Sequence, residues 1–367
     1  MKIKSILVSL LFACLCLVSC NTNVSSDNNS SQNNNSTFVN PVESNVQLLD
    51  PTIILGDDGY YYSYYTGGVQ KWDGVNETNC YAPIYKSLDM INWEFVGSAF
   101  DERNFCWSPQ VQAYNLWSPE IAFINNQYVY YFSLGVLPTR GDTKLNGVGV
   151  AVSDYPDGPF EYVGKVVDGY DVDNWDAIDP NIVVDGDKVY MFLGNFDGIF
   201  YIELEADGLS AKRTGGKIVP HYVAGSHSES GISYKNYSAP CVIKIKDKWC
   251  LFVSTGAWNT VSSTEIDYHT VVFQSDNILG PYIDSSNNSA LELDKGDVVM
   301  DSGNGFYNPG CAHVYPDKTG DYYILYHSYL EESGGNRYLG LEKLDITGDY
   351  PCVKDLMPHK IVETPNV

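Results

Sequence analysis

The chain has 367 residues and a formal charge of −24 at neutral pH, from 22 Lys and Arg against 46 Asp and Glu. That balance leaves no basic footprint for phosphate and excludes nucleic acid as a partner. The 29 tyrosines favour strands and suit a surface that stacks rings on sugars.

The first element, "MKIKSILVSLLFACLCLVSC", has two lysines and an apolar run too short for a membrane-spanning helix. It reads as a secretory leader over 1–19. The stretch Leu17-Val18-Ser19-Cys20 resembles a bacterial lipoprotein box. That resemblance implies cleavage before Cys20 and a lipid on its sulfur. The product would be an exported, membrane-anchored protein, periplasmic or on the cell surface. Residues 20–44, rich in Asn and Ser, read as a polar tether that cannot bury a core.

The folded domain is expected over 45–360. A repeat of about 60–70 residues runs through it, with a proline opening a short apolar strand, a turn and an aromatic strand. Its five copies are "LLDPTIILGDDGYYYSYYTG", "LWSPEIAFINNQYVYYFSLG", "AIDPNIVVDGDKVYMFLGNF", "YSAPCVIKIKDKWCLFVSTG" and "YNPGCAHVYPDKTGDYYILYHS". Three of them continue into a turn and an outer strand: "SLDMINWEFVG", "VSDYPDGPFEYVG" and "QSDNILGPYID". Proline is tolerated at the start of a strand, and the Gly, Asn and Asp turns suit tight hairpins. No segment carries a long helical period. The pattern predicts an all-β, five-bladed β-propeller. A β-sandwich is the alternative, but it leaves the recurring proline unexplained.

Six cysteines follow the leader: Cys80, Cys106, Cys241, Cys250, Cys311 and Cys352. Their spacing matches no disulfide framework and no zinc motif, so buried thiols are expected.

In a propeller each proline opens an inner strand, so its neighbours meet at the axis. Asp50, Trp117 with Ser118, Asp179, Ser238 with Ala239, and Asn308 are therefore expected around one mouth. A single Asp-Pro pair is commonly an Asx turn. Two at matching positions beside Trp117 suggest a site. Trp117, Phe196 and Trp258 are candidate sugar platforms.

The five segments, in order over about 45–350, resemble glycoside hydrolase family 43, and within it the arabinanases and α-L-arabinofuranosidases. The resemblance implies inverting hydrolysis of arabinose- or xylose-containing plant polysaccharide, arabinan first. Two carboxyl groups roughly 6.5–9.5 Å apart then admit a water between them and the sugar. Asp50 matches the base, and Asp179 matches a third carboxylate that modulates the acid. The general acid would be a glutamate two residues before the fourth-repeat proline, where this chain has Ser238-Ala239-Pro240. Glu229 and Glu120 are candidate substitutes. The family's Gly-His pair is here Gly310-Cys311, with His313 two residues on as a possible replacement at the substrate. No cofactor is required, and a calcium ion near the axis is compatible. A second Trp-Ser-Pro at Trp107 fits no repeat.

Three functions follow. One is a lipid-anchored, monomeric hydrolase with a carbohydrate substrate. Another is a glycan-binding surface protein on an impaired catalytic scaffold, motivated by Ser238. The third is a propeller for protein contacts. Endo or exo action would depend on the loops at 66–82, 136–147 and 256–268.

Overall fold

The computed structural model describes residues 36–366, apart from 44–45, 72–76, 101–110, 137–141, 259–266 and 332–334. Five four-stranded antiparallel sheets follow one another along the chain as the blades of a propeller. Blade I comprises Thr52–Leu55, Tyr61–Tyr64, Pro83–Ser87 and Glu94–Ser98. Blade II comprises Val111–Ile124, Gln127–Val136, Gly147–Ser153 and Glu161–Asp168. Blade III comprises Asn181–Asp185, Lys188–Leu193, Ile199–Leu204 and His221–Ala224. Blade IV comprises Tyr237–Ile245, Lys248–Thr255, His269–Ser275 and Asp297–Met300. Blade V comprises Phe306–Pro316, Tyr322–Leu330, Arg337–Asp345 and Cys352–Val353.

The alternation of these strands puts one set of side chains against each neighbouring blade. Tyr64, Tyr130 and Phe132 pack between blades I and II, and Phe192, Leu251 and Phe273 between III and IV. The turn Asn125-Asn126 has two left-handed residues, as a tight hairpin joining twisted strands needs.

In every blade the residue before the repeat's proline has a positive φ: Asp50 53°, Ser118 35°, Asp179 59°, Ala239 49° and Asn308 53°. L-residues rarely adopt this conformation, and its local strain persists only where surrounding bonds fix it. Here the fixing contacts run from blade to blade. The Ser118 N–H donates to Thr66 Oγ1 (2.9 Å) and the Asp179 N–H to Ser133 Oγ (3.1 Å). The Ala239 N–H donates to the Gly194 carbonyl (3.3 Å) and the Cys311 N–H to Ser254 Oγ (3.0 Å). Asp50 meets blade V through its side chain, with Oδ1 3.2 Å from His327 Nδ1, which closes the ring.

Two differences from the sequence reading concern the edges. Thr37–Val39, within the expected tether, pairs with Ile361–Glu363, beyond the expected end of the domain. The compact unit accordingly begins at Ser36. In blade IV the outer strand is Asp297–Met300, and beyond Ser275 the segment "QSDNILGPYID" contributes isolated bridges, of Ile283 to Gln274 and to Ser289. Pro281 lacks a ladder donor, and the Asp284 carboxylate gathers the N–H groups of Ser286, Asn288 and Gly296 into a loop instead. The leader, Cys20, Cys106 and the second Trp-Ser-Pro lie outside the described residues. Cys80, Cys241, Cys250, Cys311 and Cys352 are free thiols.

Candidate active site

The left-handed residues point the strand starts of blades I, III and IV into one cavity of about 410 Å³. Asp50, Asp179 and Ser238 all border it, with Trp117 and Trp258 in its wall. Residues 188 positions apart (Asp50 to Ser238) thus meet as the repeat predicted. Trp117 packs against Gly135, where a Cβ would come within 2.1 Å of the indole. A glycine at 135 is therefore a condition for the platform.

Asp50 is held as a carboxylate. Burial alone would raise its pKa, but His327, Arg337 and the Thr66 hydroxyl outweigh burial and hold it well below the usual range. Thr66 Oγ1 donates to Asp50 Oδ2, and His327 Nδ1 lies 3.2 Å from Oδ1. The imidazole tautomer follows from Arg337, whose Nη1 is 3.0 Å from His327 Nε2. A guanidinium can only donate, so Nε2 carries the lone pair and Nδ1–H faces the carboxylate. Burial and the Arg337 charge lower the His327 pKa, which keeps this ring neutral.

Asp179 is in the opposite state. Burial, followed by the charge of Asp50, raises its carboxyl well above the ordinary value, against a hydrogen bond from Ser118. Two carboxyl groups in one cavity are thus driven apart in titration, one ionised and one protonated.

Ser238 is 1% exposed, with its hydroxyl donating to the Ser254 carbonyl at 3.4 Å. Phe196 lines the cavity with φ 59°, but its ring is nearly buried, edge-on to Tyr234 at 4.9 Å. Trp258 is the more open platform, with the Arg337 guanidinium 5.0 Å from its ring centre.

Three expectations need correction. His313 does not reach this cavity. It lines an adjoining axial void of about 30 Å³, which Asp50 and Asp179 also border, with Nδ1 3.6 Å from Glu120 Oε2. The inner strand of blade V bulges between Tyr307 and Gly310 and again before His313, so the i, i+2 alternation is lost. His327, on the next strand, supplies the imidazole beside Asp50. Glu120 likewise sits in the axial void, accepting from Thr52 Oγ1 (2.8 Å), Asn181 Nδ2 (3.0 Å) and the Ile182 N–H (3.1 Å). Glu229 is an exposed loop residue outside the cavity lining.

The cavity also holds groups that the sequence reading passed over. Asp176, 6% exposed, accepts from Asn146 Nδ2 (2.7 Å) and Asn195 Nδ2 (2.9 Å). Cys311 is adjacent to Tyr268, whose hydroxyl is 3.2 Å from its sulfur. Burial, and then the Asp50 charge, push the Cys311 thiol up, so it stays protonated. Asp50, Cys311 and His327 present one oxygen, one sulfur and one nitrogen within 4.8 Å of one another. That set does not fit calcium, a hard cation that takes six to eight oxygens.

The family model for glycosyl hydrolases family 43 matches residues 38–350. An arabinan endo-1,5-α-L-arabinosidase A of Aspergillus aculeatus is 26% identical over 318 residues, covering 83% of this chain and 90% of that protein. An extracellular endo-α-(1→5)-L-arabinanase of Bacillus subtilis is 27% identical over 320 residues, covering 84% and 88%. The structure of a Cellvibrio cellulosa α-L-arabinanase complexed with arabinohexaose superposes with a TM-score of 0.70 at 23% identity, covering 84% of this chain and 96% of that one.

Proposed function

The chain belongs to glycosyl hydrolase family 43 and is a glycosidase acting on O-glycosyl bonds, and we propose that its substrate is an α-L-arabinan or arabino-oligosaccharide, hydrolysed with inversion. The observation that carries this reading is the oppositely titrated pair Asp50 and Asp179 in one cavity walled by Trp117 and Trp258. The arabinan-cleaving names of the relatives support the choice of sugar.

In this reading Asp50 removes a proton from the attacking water. Its low pKa keeps it ready as a base at any ordinary pH. Asp179 is the modulating carboxyl, and Ser238 stands in the position of the usual acid. The indole faces of Trp117 and Trp258 take the C–H faces of the furanose rings. No step calls for a cofactor. Incubating the purified chain with debranched arabinan and resolving the products by chromatography and NMR tests this. Release of β-configured arabinose or arabino-oligosaccharides is the expected result, and intact polymer after long incubation is the contrary one.

A second reading rests on Ser238 alone: a surface glycan-binding protein that retains the cleft and lacks turnover. Tight binding of arabino-oligosaccharide by calorimetry without cleavage would select it. Export as a lipid-anchored monomer, suggested by the leader and Cys20, belongs to the same proposal. A diacylglyceryl modification on Cys20 by mass spectrometry, lost in Cys20→Ser, is its expected signature.

A further inference from the structure

A family-43 site with serine at the acid position needs a proton from elsewhere, or it hydrolyses nothing. Among the described residues, three carboxyl side chains line the cavity: Asp50, Asp179 and Asp176. Asp50 is the base. Asp179 shares with Asp50 the pre-proline position, next to the base's own charge. Asp176 is placed differently. Its Oδ2 accepts from Asn195, and Asn195 pairs as an antiparallel bridge with Ser238. It is therefore tied to the blade IV edge, where the acid is missing.

We infer that Asp176 is the proton donor of this glycosidase, replacing the carboxyl group that Ser238 lacks. This rests on the hydrolase reading above.

Both protein contacts to the Asp176 carboxyl come from Asn146 and Asn195 amide N–H groups, which donate. When Asp176 is protonated its O–H is thus left to the cavity, where the glycosidic oxygen would lie. Burial raises its pKa to about 7, with the Asp197 charge adding to the rise and the two amides opposing it. An acid matched to neutral pH is the best general acid there. Asp179 instead lies next to the Asp50 charge, which acts on its carboxyl directly.

The position of Asp176 is built. Its backbone N–H donates to Asn174 Oδ1 (2.9 Å). The fully buried Asp197 carboxylate accepts the N–H groups of Trp175 (2.9 Å) and Ser228 (2.8 Å) and contacts His227 Nδ1 (2.8 Å). The chain just before Asp176 is thereby pinned to Asp197. In the reaction, Asp176 transfers its proton to the glycosidic oxygen as the C1–O bond breaks. Water adds to C1 from the other side and leaves its proton on Asp50. Both carboxyl groups then exchange protons with solvent, so the balance is one water consumed per bond.

The test compares wild type with Asp176→Asn on arabinan and on 4-nitrophenyl α-L-arabinofuranoside, whose leaving group needs little protonation. The expected result is a fall of about 10²–10⁴ in kcat on arabinan and a fall of about tenfold or less on the aryl substrate. The alkaline limb of the wild-type pH profile should vanish in the variant, while oligosaccharide binding by calorimetry stays. Equal activity of variant and wild type overturns the assignment and leaves the hydrolase reading standing. So does the leaving-group signature if it appears in Asp179→Asn instead. A wild type inert on both substrates that becomes active as Ser238→Glu overturns the assignment while retaining the site. If neither protein acts on either substrate, both readings fall.

Discussion

Blades I and IV open onto the cavity through the same backbone device and with opposite chemistry. The residue before the proline is left-handed in each, Asp50 at φ 53° and Ala239 at φ 49°. In blade I that residue is a carboxylate flanked by His327, Arg337 and Thr66. In blade IV it is a methyl group, with the Ser238 hydroxyl beside it facing a backbone carbonyl. In blades II, III and IV the strained residue is fixed by its own backbone N–H, which donates to an acceptor of the preceding blade, and not by its side chain. Fold and chemistry are therefore separable at these positions, and a substitution there should register in turnover while the propeller stays folded.

The largest expected effect comes from Asp50→Asn. Removing the base should lower kcat on arabinan by about 10²–10⁴. Its melting temperature should fall modestly while the propeller stays folded, because the contacts of His327, Arg337 and Thr66 that favour the carboxylate stabilise the folded state. A variant that unfolds would show that chemistry and ring are coupled after all; one that turns over normally would take Asp50 out of the base role. Ser238→Glu tests the other blade. With the acid position refilled, kcat on arabinan at neutral pH should rise by about tenfold or more. A folded variant that binds sugar with no gain would show that a carboxyl at 238 adds nothing to the proton that Asp176 supplies.

The same separation explains what could be read from the chain alone. The five prolines repeat because each follows a left-handed residue, at the start of the inner strand in blades I and III and at a bulge within it in blades II, IV and V, so the propeller and the meeting of Asp50, Asp179 and Ser238 were legible at a distance. His313 was misjudged because two bulges in one strand break the alternation that placed it. Asp176 has no counterpart in the repeat, and within "NWDAIDP" it reads as an ordinary polar loop residue. His327 and Arg337 lie on the second and third strands of blade V, where nothing local distinguishes an axis-facing side chain from a core one. The pairing of Thr37–Val39 with Ile361–Glu363 joins the two ends of the domain, beyond any local pattern.

Glu120 sharpens the comparison from the structural side, since it belongs to the ring and not to the mouth. Its carboxyl takes hydrogen bonds from blades I and III, and burial raises its pKa to about 8 against those bonds. The folded state thus keeps a proton that the unfolded chain begins to release near pH 4.5. Its contribution favours folding at low pH and is lost as pH rises from there to about 8. Glu120→Gln keeps the shape and cannot titrate. Its melting temperature should fall less than that of wild type between pH 5 and pH 8, with kcat near the wild-type value. Parallel melting curves across that range would show that Glu120 does not titrate there.

The smallest effect is expected from Arg337→Gln, which changes the field at blade I without touching Asp50. An amide at 337 can still donate to His327 Nε2, so the tautomer that points Nδ1–H at Asp50 is preserved and only the positive charge is removed. Burial then weighs more heavily, and the Asp50 pKa rises toward the ordinary range. A base must be ionised to act, so the acid limb of kcat/KM should move to higher pH. At pH 7 a carboxyl of ordinary pKa, about 4, is still ionised, and kcat there should change by about twofold or less. KM should increase modestly, because the guanidinium also stacks on Trp258 and Tyr329 at 5.0 and 5.8 Å. An unmoved acid limb would mean that hydrogen bonds from His327 and Thr66, not the Arg337 charge, keep Asp50 ionised. The contrast between blades I and IV would then rest on local donors alone.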